Sequence, residues 1–403
     1  MLKRCAKIFF TAAVAVALFS VYVRGLVPGD MYFLKGSSLG IKSLPMVTLV
    51  QREGTSAAAN SSQQLTYTAK LFGVIPLKTV NVSTQPGRMV SVAGTPFGIK
   101  MFSDGVMVVG FSDIQTARGI RCPAKESQLK PGDIIIKLNG ETVKSNSDVE
   151  NYIVEKGENP LAVTFLRDGV EMETQLVPLF DTSAGIFRTG MWVRDSSAGV
   201  GTMTFYDVQK GMFAGLGHGI KDTDTQKDIR LLSGEIVNVR ITGCIPSANG
   251  QAGELKGVFT SQFPTGRVWA NSANGVYGSI FSPPTDNMMQ VASPAQIQTG
   301  PATILTTIEG TKPKEYEIVI EKVALTSSNQ NKNMIIRITD KELLEKTGGI
   351  VQGMSGSPII QNGRLVGAVT HVFVNQVTRG YAVFAQNMVF SMDNAQKVHK
   401  SAG

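Results

Sequence analysis

The chain is poor in histidine, cysteine and charge. Its 403 residues include only three His and three Cys, and 17 % are charged, against roughly 25 % in an average soluble protein. Apolar residues make up 42 % of the chain, which is enough to build hydrophobic cores and argues against disorder. A mean hydropathy of +0.05 argues against a polytopic membrane protein. Few charges, 42 glycines and many β-branched residues favour β structure in two or three domains.

The scarcity of cysteine and histidine argues against a structural zinc site. Cys5 lies beside an amino-terminal apolar run, which leaves Cys122 and Cys244 in the rest of the chain. Their spacing neither supports nor excludes a disulfide bridge, and there is no C-x-x-C motif. We therefore expect no metal and no other cofactor.

The net charge of +8 is unevenly distributed. Lys3, Arg4, Lys7 and Arg24 against Asp30 give a local +3, so the other 373 residues share +5. No run of more than two basic residues occurs, and no basic stripe carries interleaved aromatic residues. Nucleic-acid binding is therefore not expected, because a concentrated positive surface is missing.

The basic amino terminus precedes an apolar run from Ile8 to Val23, which is followed by Arg24. Positive charge before an apolar segment is typical of exported proteins, and no clean cleavage signature follows the run. We predict an uncleaved signal anchor that crosses the membrane through residues 8–26, with the remainder exported. A cleaved signal peptide remains the alternative.

Turn and hairpin signals organise the stretch between residues 99 and 179. Pro131-Gly132-Asp133 predicts a turn, Asn139-Gly140 predicts a hairpin, and Ser147–Val154 predicts a helix opened by a Ser or Asp cap. Together with Pro123-Ala124, these features resemble a PDZ domain of bacterial exported proteases. The resemblance implies a groove that binds an extended peptide along one strand. The predicted groove residues are Val106, Met107, Val108, Val109, Gly110 and Phe111.

The strongest chemical motif is Gly353-Met354-Ser355-Gly356-Ser357-Pro358. Gly353 can adopt positive φ, so that the N–H groups of Gly353 and Ser355 form an oxyanion hole beside the Ser355 hydroxyl. The pattern is that of chymotrypsin-like serine proteases. A Gly-x-Ser-x-Gly nucleophile elbow is excluded because position 357 is Ser. A Gly/Ser-rich β-turn without catalytic function remains the alternative.

Three histidines compete for the role of general base. His399 lies in a Lys-flanked tail and is a poor candidate. His371 follows the nucleophile motif on a strand, where it lines a substrate cleft or is an ordinary strand residue. His218 is favoured because glycines on both sides let its imidazole project from a turn and accept the Ser355 proton.

The acidic member of a triad is less clearly marked. Asp222 and Asp224 are expected to cap the turn after His218. Asp340 follows an apparent strand, fifteen residues before Ser355, and gives the chain order His, Asp, Ser. The alternative role of Asp340 is the N-cap of a helix over Lys341–Glu345.

The predicted fold class is mainly β. We expect a signal-anchor helix (1–30), a small β-rich module (31–98), a PDZ domain of α+β type (99–179) and a chymotrypsin-like double β-barrel peptidase domain (180–403). Short strands separated by Gly, Pro and Asn after residue 180 are typical of barrels.

Nearly the whole chain resembles the stage IV sporulation protein B family of PDZ-bearing serine peptidases from endospore-forming bacteria. The matching segments are Pro96–Lys100, Asp104–Gly110, Met191–Ser196, Ala198–Asp207, Leu216–Gly219, Gly353–Pro358 and Gly367–Asn375. The resemblance implies a catalytic triad of His218, Asp340 and Ser355.

The same resemblance implies a function in sporulation signalling. The family acts between the mother-cell and forespore membranes. There it cleaves a regulatory membrane protein that restrains an intramembrane protease, and so triggers activation of a late sigma factor. It also cleaves itself near its amino terminus, which would release it from the membrane. The chain's own amino-terminal region is one candidate PDZ ligand. The alternative function is a non-catalytic PDZ scaffold with a degenerate peptidase fold.

Overall fold

The computed structural model describes residues 2–52, 64–222, 224–227, 229, 231–261 and 263–402. The α-helices are α1 Leu2–Leu26, α2 Pro123–Glu126, α3 Asn146–Lys156, α4 Lys341–Thr347 and α5 Ala385–Ala402, and Pro294–Gln296 forms a short 3-10 helix. The strands up to residue 188 are β1 Asp30–Leu34, β2 Val47–Gln51, β3 Gln64–Leu71, β4 Ile75–Gln85, β5 Met89–Val92, β6 Pro96–Phe111, β7 Ile114–Thr116, β8 Gly119–Arg121, β9 Ile134–Leu138, β10 Glu141–Thr142, β11 Leu161–Arg167, β12 Val170–Leu176, β13 Leu179–Asp181 and β14 Ile186–Arg188. The later strands are β15 Met191–Asp207, β16 Met212–Gly215, β17 Leu231–Ile245, β18 Glu254–Phe259, β19 Gly266–Ser272, β20 Gly275–Ile280, β21 Met288–Val291, β22 Gly300–Thr306, β23 Lys314–Val323, β24 Met334–Ile338, β25 Pro358–Gln361, β26 Arg364–Val372 and β27 Arg379–Phe384.

The amino-terminal helix α1 is long enough to cross a bilayer. Its 25 residues extend about 37 Å at about 1.5 Å per residue, against about 30 Å for the hydrocarbon core. The segment Lys7–Leu26 has a mean hydropathy of 1.8 and is only 6 % buried. The helix is therefore compatible with a signal or membrane anchor.

A four-stranded sheet in the order β1-β4-β3-β2 follows the helix, with β1 parallel to β4. The end of α1 packs on this sheet, since Val23 and Val27 are buried in the same cluster as Phe33 and Val80. Residues 53–63 of the predicted module lie outside the described residues.

Two closed six-stranded rings form the peptidase part of the fold. In barrel one the ring runs β6-β15-β16-β20-β19-β17 and returns to β6. In barrel two it runs β22-β23-β24-β27-β26-β25 and returns to β22. Strands β5 and β21 connect the barrels, because β5 pairs with β15 and with β21, while β21 pairs with β26. The predicted mainly β, double-barrel fold is confirmed.

The PDZ domain shares its two longest strands with barrel one. The first half of β6 pairs with β17 in the barrel, whereas Val106 and Met107 pair with β9 in the PDZ sheet. Along its length β6 also pairs with β15, from Pro96↔Thr202 to Phe111↔Met191. The predicted boundary between residues 98 and 99 thus falls inside a continuous strand, and residues 191–194, beyond the predicted PDZ end, complete the PDZ sheet.

Local turn chemistry explains the PDZ hairpins. Asn139 and Gly140 both have positive φ (50° and 83°) and join β9 to β10, as the sequence predicts. Asp168 and Gly169 do the same between β11 and β12. The predicted helix is α3, where Ser145 accepts the Asp148 N–H and Asp148 accepts the Ser145 N–H in a capping box.

Candidate active site

Ser355 and His218 come from loops of different barrels and meet in one cleft. Ser355 lies between α4 and β25 of barrel two, and His218 follows β16 of barrel one. Both line a cleft of about 410 Å³, together with Gly353, His371 and apolar side chains. The apolar lining includes Ile99, Met101, Val200 and Leu216.

The loop around Ser355 leaves two amides available. The N–H groups of Gln352, Met354 and Gly356 all donate to backbone carbonyls. Within the described ranges, neither the Gly353 nor the Ser355 N–H has a hydrogen-bond partner. Gly353 has φ of +97°, the backbone conformation that favours glycine. Two unpaired amides beside a serine hydroxyl can bind a developing oxyanion.

The Ser355 hydroxyl donates to the Thr370 carbonyl at 2.9 Å. Thr202 holds the loop from barrel one: its hydroxyl donates to the Gly353 carbonyl at 2.7 Å and its N–H to the Ser355 carbonyl at 3.0 Å. Thr204, also on β15, donates to the Gly356 carbonyl at 2.8 Å. Sequence reasoning missed both threonines.

His218 is partly buried, and its tautomer is fixed by the backbone. Nδ1 lies 2.8 Å from the Gly219 carbonyl. A carbonyl oxygen only accepts, so Nδ1 carries the proton and Nε2 keeps a lone pair. Burial lowers the pKa of His218 below its ordinary value, and the hydrogen bond to Gly219 opposes that shift in part. The imidazole is therefore neutral and able to accept a proton at Nε2 near neutral pH.

His371 lies beside His218, with ring centroids 4.9 Å apart and planes tilted by 39°. Its Nδ1 is buried and has no hydrogen-bond partner among the described residues. Burial, followed by electrostatic interaction with His218, Lys332 and Lys221, lowers the pKa of His371 to about 4. Of the two roles left open by the sequence, the structure places His371 in the cleft.

Asp340 is the N-cap of α4. Its carboxylate accepts the Leu343 N–H at 2.9 Å and the Glu317 N–H at 3.4 Å. It does not line the cleft that contains His218 and Ser355. The structure therefore brings His218, Gly353 and Ser355 together but leaves Asp340 outside this group, so its triad role stays a prediction.

The remaining candidates have structural partners. Asp222 accepts the N–H groups of Asp224 and Thr225 and pairs with Arg194 at 2.6 Å, so it caps its turn as predicted. His399, in α5, stacks on Trp269 of β19, with ring centroids 4.2 Å apart. Cys122 and Cys244 are both free thiols.

The predicted peptide groove stays a prediction, and a cavity beside helix α3 lies one strand away from it. Met107 pairs with β9 on one side and with β15 on the other, whereas Val106 pairs with β9 and Val108 with β15. This part of β6 therefore lies inside the sheet. The cavity next to helix α3 is instead lined by Met191, Trp192 and Val193. The sequence could not show this, because β15 follows the PDZ segment and enters its sheet from outside.

Comparison with known families identifies both parts of the chain. The model of the SpoIVB peptidase S55 family matches residues 185–389, which are 205 of the 403 residues. The chain belongs to this family. A PDZ domain model matches residues 104–177 of this S55 peptidase. The chain is therefore a serine peptidase with a PDZ domain, and no curated protein matches it.

Two solved structures are similar to parts of this S55 peptidase. The PDZ domain of the SdrC-like protein from Listeria monocytogenes is 20 % identical, covers 23 % of this chain and 90 % of that one, and has a TM-score of 0.19. The HtrA-type protease AlgW with a decapeptide is 10 % identical, covers 51 % of this chain and 55 % of that one, and has a TM-score of 0.30.

Proposed function

We propose that this peptidase is an exported, membrane-anchored serine endopeptidase in which Ser355 is the nucleophile and His218 the general base. The observation that carries the proposal is the cleft that joins His218, the Ser355 hydroxyl and the unpaired amides of Gly353 and Ser355. These groups come from two barrels and have the chemical types that acyl transfer requires.

The proposed reaction proceeds through an acyl-enzyme. The Ser355 hydroxyl exchanges its bond to Thr370 for one to His218, and its proton passes to Nε2 as Oγ attacks the peptide carbonyl. The oxyanion accepts hydrogen bonds from Gly353 and Ser355. His218 then gives the proton to the leaving amine, and a water molecule hydrolyses the ester by the same route. The resemblance assigns the third triad position to Asp340, and that role is kept as a prediction.

The biological setting follows from family membership and the helix α1. We propose that the peptidase is anchored through residues 8–26 and acts between the forespore and mother-cell membranes. Its substrate is a membrane-bound sporulation regulator, whose cleavage leads to activation of a late sigma factor. Cleavage near its own amino terminus releases the enzyme. The apolar helix supports anchoring, and the PDZ domain supports recognition of a peptide.

The chemical proposal is tested with the full chain in detergent and a fluorophosphonate probe. Wild type should be labelled on Ser355, whereas Ser355→Ala and His218→Ala should not react. Fragments shortened at the amino terminus should appear on expression of wild type and be absent for Ser355→Ala. Equal labelling of wild type and Ser355→Ala would refute the assignment of the nucleophile.

The signalling proposal needs a cellular test. Ser355→Ala, introduced into an endospore-forming host in place of the native enzyme, should abolish a late sigma-factor reporter and preserve the membrane-bound regulator. A reporter that stays active while the regulator is intact would contradict this setting but leave the peptidase chemistry in place.

A further inference from the structure

The turn between β3 and β4 exposes an uncharged apolar run. Residues 71–77 read Leu-Phe-Gly-Val-Ile-Pro-Leu, and Lys70 and Lys78 flank them on both sides. The side chains of Phe72 and Val74 are 67 % and 76 % exposed. Scattered exposed apolar residues need no explanation, but a continuous apolar tip marks contact with another apolar phase.

The residue types in this turn do not follow from its backbone. The Val74 N–H donates to the Leu71 carbonyl at 3.1 Å, so that Phe72 and Gly73 are the central residues of a β-turn. Both have positive φ, 51° and 75°. A turn of this kind prefers Asn, Asp or Gly at both positions, and a bulky aromatic residue is strained there. Phe72 is therefore better explained by an outward contact than by the turn itself.

The turn and the anchor helix lie at the same end of the small sheet. Strand β1 runs parallel to β4, with Asp30 opposite Asn81. Going back along the chain from Asp30, the Gly29 carbonyl accepts the Asn81 N–H, and the Val27 carbonyl accepts the Lys78 ammonium at 2.8 Å. The chain therefore approaches α1 while moving along β4 towards the first residue of that strand. That end of β4 carries the turn.

The turn also lies at a suitable depth. The apolar segment of α1 ends at Leu26, so the Lys78 ammonium bonds the chain just outside the bilayer. Val74 is four residues before Lys78, or about 13 Å along a strand at about 3.3 Å per residue. The headgroup layer on each side of a bilayer is about 5–8 Å thick. Val23 of α1 is buried in one cluster with Leu71 and Leu77, which flank the turn, so helix and turn are neighbours.

The charge of the module suits an anionic membrane surface. Residues 31–85 contain five basic residues and one acidic residue, Glu53. The basic residues are Lys35, Lys42, Arg52, Lys70 and Lys78. Basic side chains next to a membrane helix attract anionic lipid headgroups. An apolar tip with flanking cations is thus suited to insertion between lipids.

We propose that the β3–β4 turn inserts into the bilayer that α1 crosses, with Phe72 and Val74 at the boundary of the acyl chains and the flanking lysines among the headgroups. Helix and turn hold the small sheet at two points, which fixes its orientation on the membrane. This inference rests on the proposed function, because it takes α1 as a membrane anchor.

The test uses the full chain in vesicles of phosphatidylcholine and phosphatidylglycerol, with and without bromine atoms on the acyl chains. Bromine quenches tryptophan emission at short range. Phe72→Trp places a probe in the turn, and Thr84→Trp places the same probe at an exposed position near the other end of β4. The emission of the two native tryptophans, Trp192 and Trp269, is measured in wild type and subtracted. Thermal unfolding of each variant should match that of wild type.

We expect the added emission of Phe72→Trp to fall by about half in brominated vesicles, as for a side chain at the acyl boundary. The added emission of Thr84→Trp should change little. Val74→Asp combined with Phe72→Trp should reduce quenching to the level of Thr84→Trp, because a carboxylate is unfavourable among acyl chains and is repelled by anionic headgroups. Thr84→Asp combined with Phe72→Trp should leave the quenching unchanged.

Two results would overturn the proposal: equal quenching of Phe72→Trp and Thr84→Trp, or quenching that Val74→Asp does not reduce. Carbonate extraction of wild type from the vesicles tests the anchor separately. Release of the protein would refute anchoring by α1. Retention of the protein without quenching at position 72 would refute only the insertion of the turn, so the two failures are distinguishable.

Discussion

The tautomer of His218 depends on a backbone carbonyl rather than on a carboxylate. In a Ser-His-Asp triad the acid fixes the imidazole tautomer and stabilises its cation. Here the Gly219 carbonyl performs the first task at 2.8 Å from Nδ1. It carries only a partial charge, so it stabilises the cation less. In the proposed reaction, the Gly219 carbonyl would thus orient the imidazole, and within the described residues no carboxylate forms a hydrogen bond to it.

The contacts of Asp340 lead to a prediction that separates its two roles. If Asp340 acts only as the cap of α4, Asp340→Asn should keep kinact/KI for a fluorophosphonate within about threefold of wild type, because Asn caps a helix about as well as Asp. Asp340→Ala should lower the free energy of unfolding by about 1 kcal/mol, since the cap of α4 is lost. Labelling kinetics and urea denaturation measure the two effects. A loss of about 10⁴-fold in Asp340→Asn would instead show that Asp340 acts on His218, as the resemblance implies.

His371 should make stability depend on pH. Its pKa of about 4 in the folded protein lies below the value of 6.5 expected for the unfolded chain. The unfolded state therefore binds more protons between these values, and the free energy of unfolding falls as the pH is lowered through this window. His371→Gln should show a smaller fall between pH 7 and pH 5 than wild type, in denaturant titrations at both pH values. An equal fall in both proteins would contradict this assignment.

At the scale of residues, the sequence predicted those site residues that their neighbours in the chain mark. His218, Gly353 and Ser355 have glycine neighbours that mark their loops, and the structure places them in one cleft. Thr202 has no such mark, because a threonine in a strand is ordinary and its partner Gly353 lies 151 residues away. Thr202 contacts the loop around Ser355 only because barrel one packs against barrel two.

At the scale of elements, the nucleophile loop depends on the backbone freedom of Gly353. Gly353→Ala should abolish fluorophosphonate labelling but leave the protein folded. The new Cβ would lie 3.0 Å from the Leu255 side chain, at a φ of +97° that alanine rarely adopts. The loop would relax to another conformation and turn its amide away.

The matched control for this substitution is Gly363→Ala, in the turn between β25 and β26. Gly363 also has positive φ (+68°), but its Cβ would have open space. It should cost about 1 kcal/mol of stability from backbone strain and leave labelling intact. Equal labelling of both variants would show that the conformation of Gly353 is not needed.

Local elements could be predicted from sequence, whereas their pairing could not. The Asn139-Gly140 and Asp168-Gly169 hairpins and the cap of α3 follow from side chains within a few residues. The pairing of β6 with β15 joins residues about ninety positions apart, and no periodicity within either segment specifies the partner. The predicted PDZ groove therefore took no account of β15, and it stays a prediction.

At the scale of the whole molecule, the PDZ domain is an insertion that shares strands with barrel one. Ile99 and Met101 on β6 are buried in the barrel core with Phe213 and Val268. Val106 and Val108 on the same strand are buried in the PDZ core. A PDZ domain defined to begin at residue 99 therefore includes part of barrel one. The PDZ family match itself begins at residue 104.

This architecture predicts which PDZ deletion the peptidase tolerates. Phe102 and Ser196 are paired neighbours on β6 and β15, at the border between the two cores. Replacement of residues 103–195 by Asn-Gly should close them with a two-residue hairpin turn and preserve the ring of barrel one. We expect cooperative thermal unfolding and fluorophosphonate labelling of Ser355.

The comparison variant lacks residues 99–179, the segment that sequence boundaries alone assign to the PDZ domain. It loses Ile99 and Met101 from the barrel core and the partners of β17 at residues 99–103. Barrel one cannot close without them, so this variant should be insoluble or unreactive despite its smaller deletion. If it unfolded cooperatively and labelled as well as the hairpin variant, β6 would not be required in the ring, and the two domains would be separable.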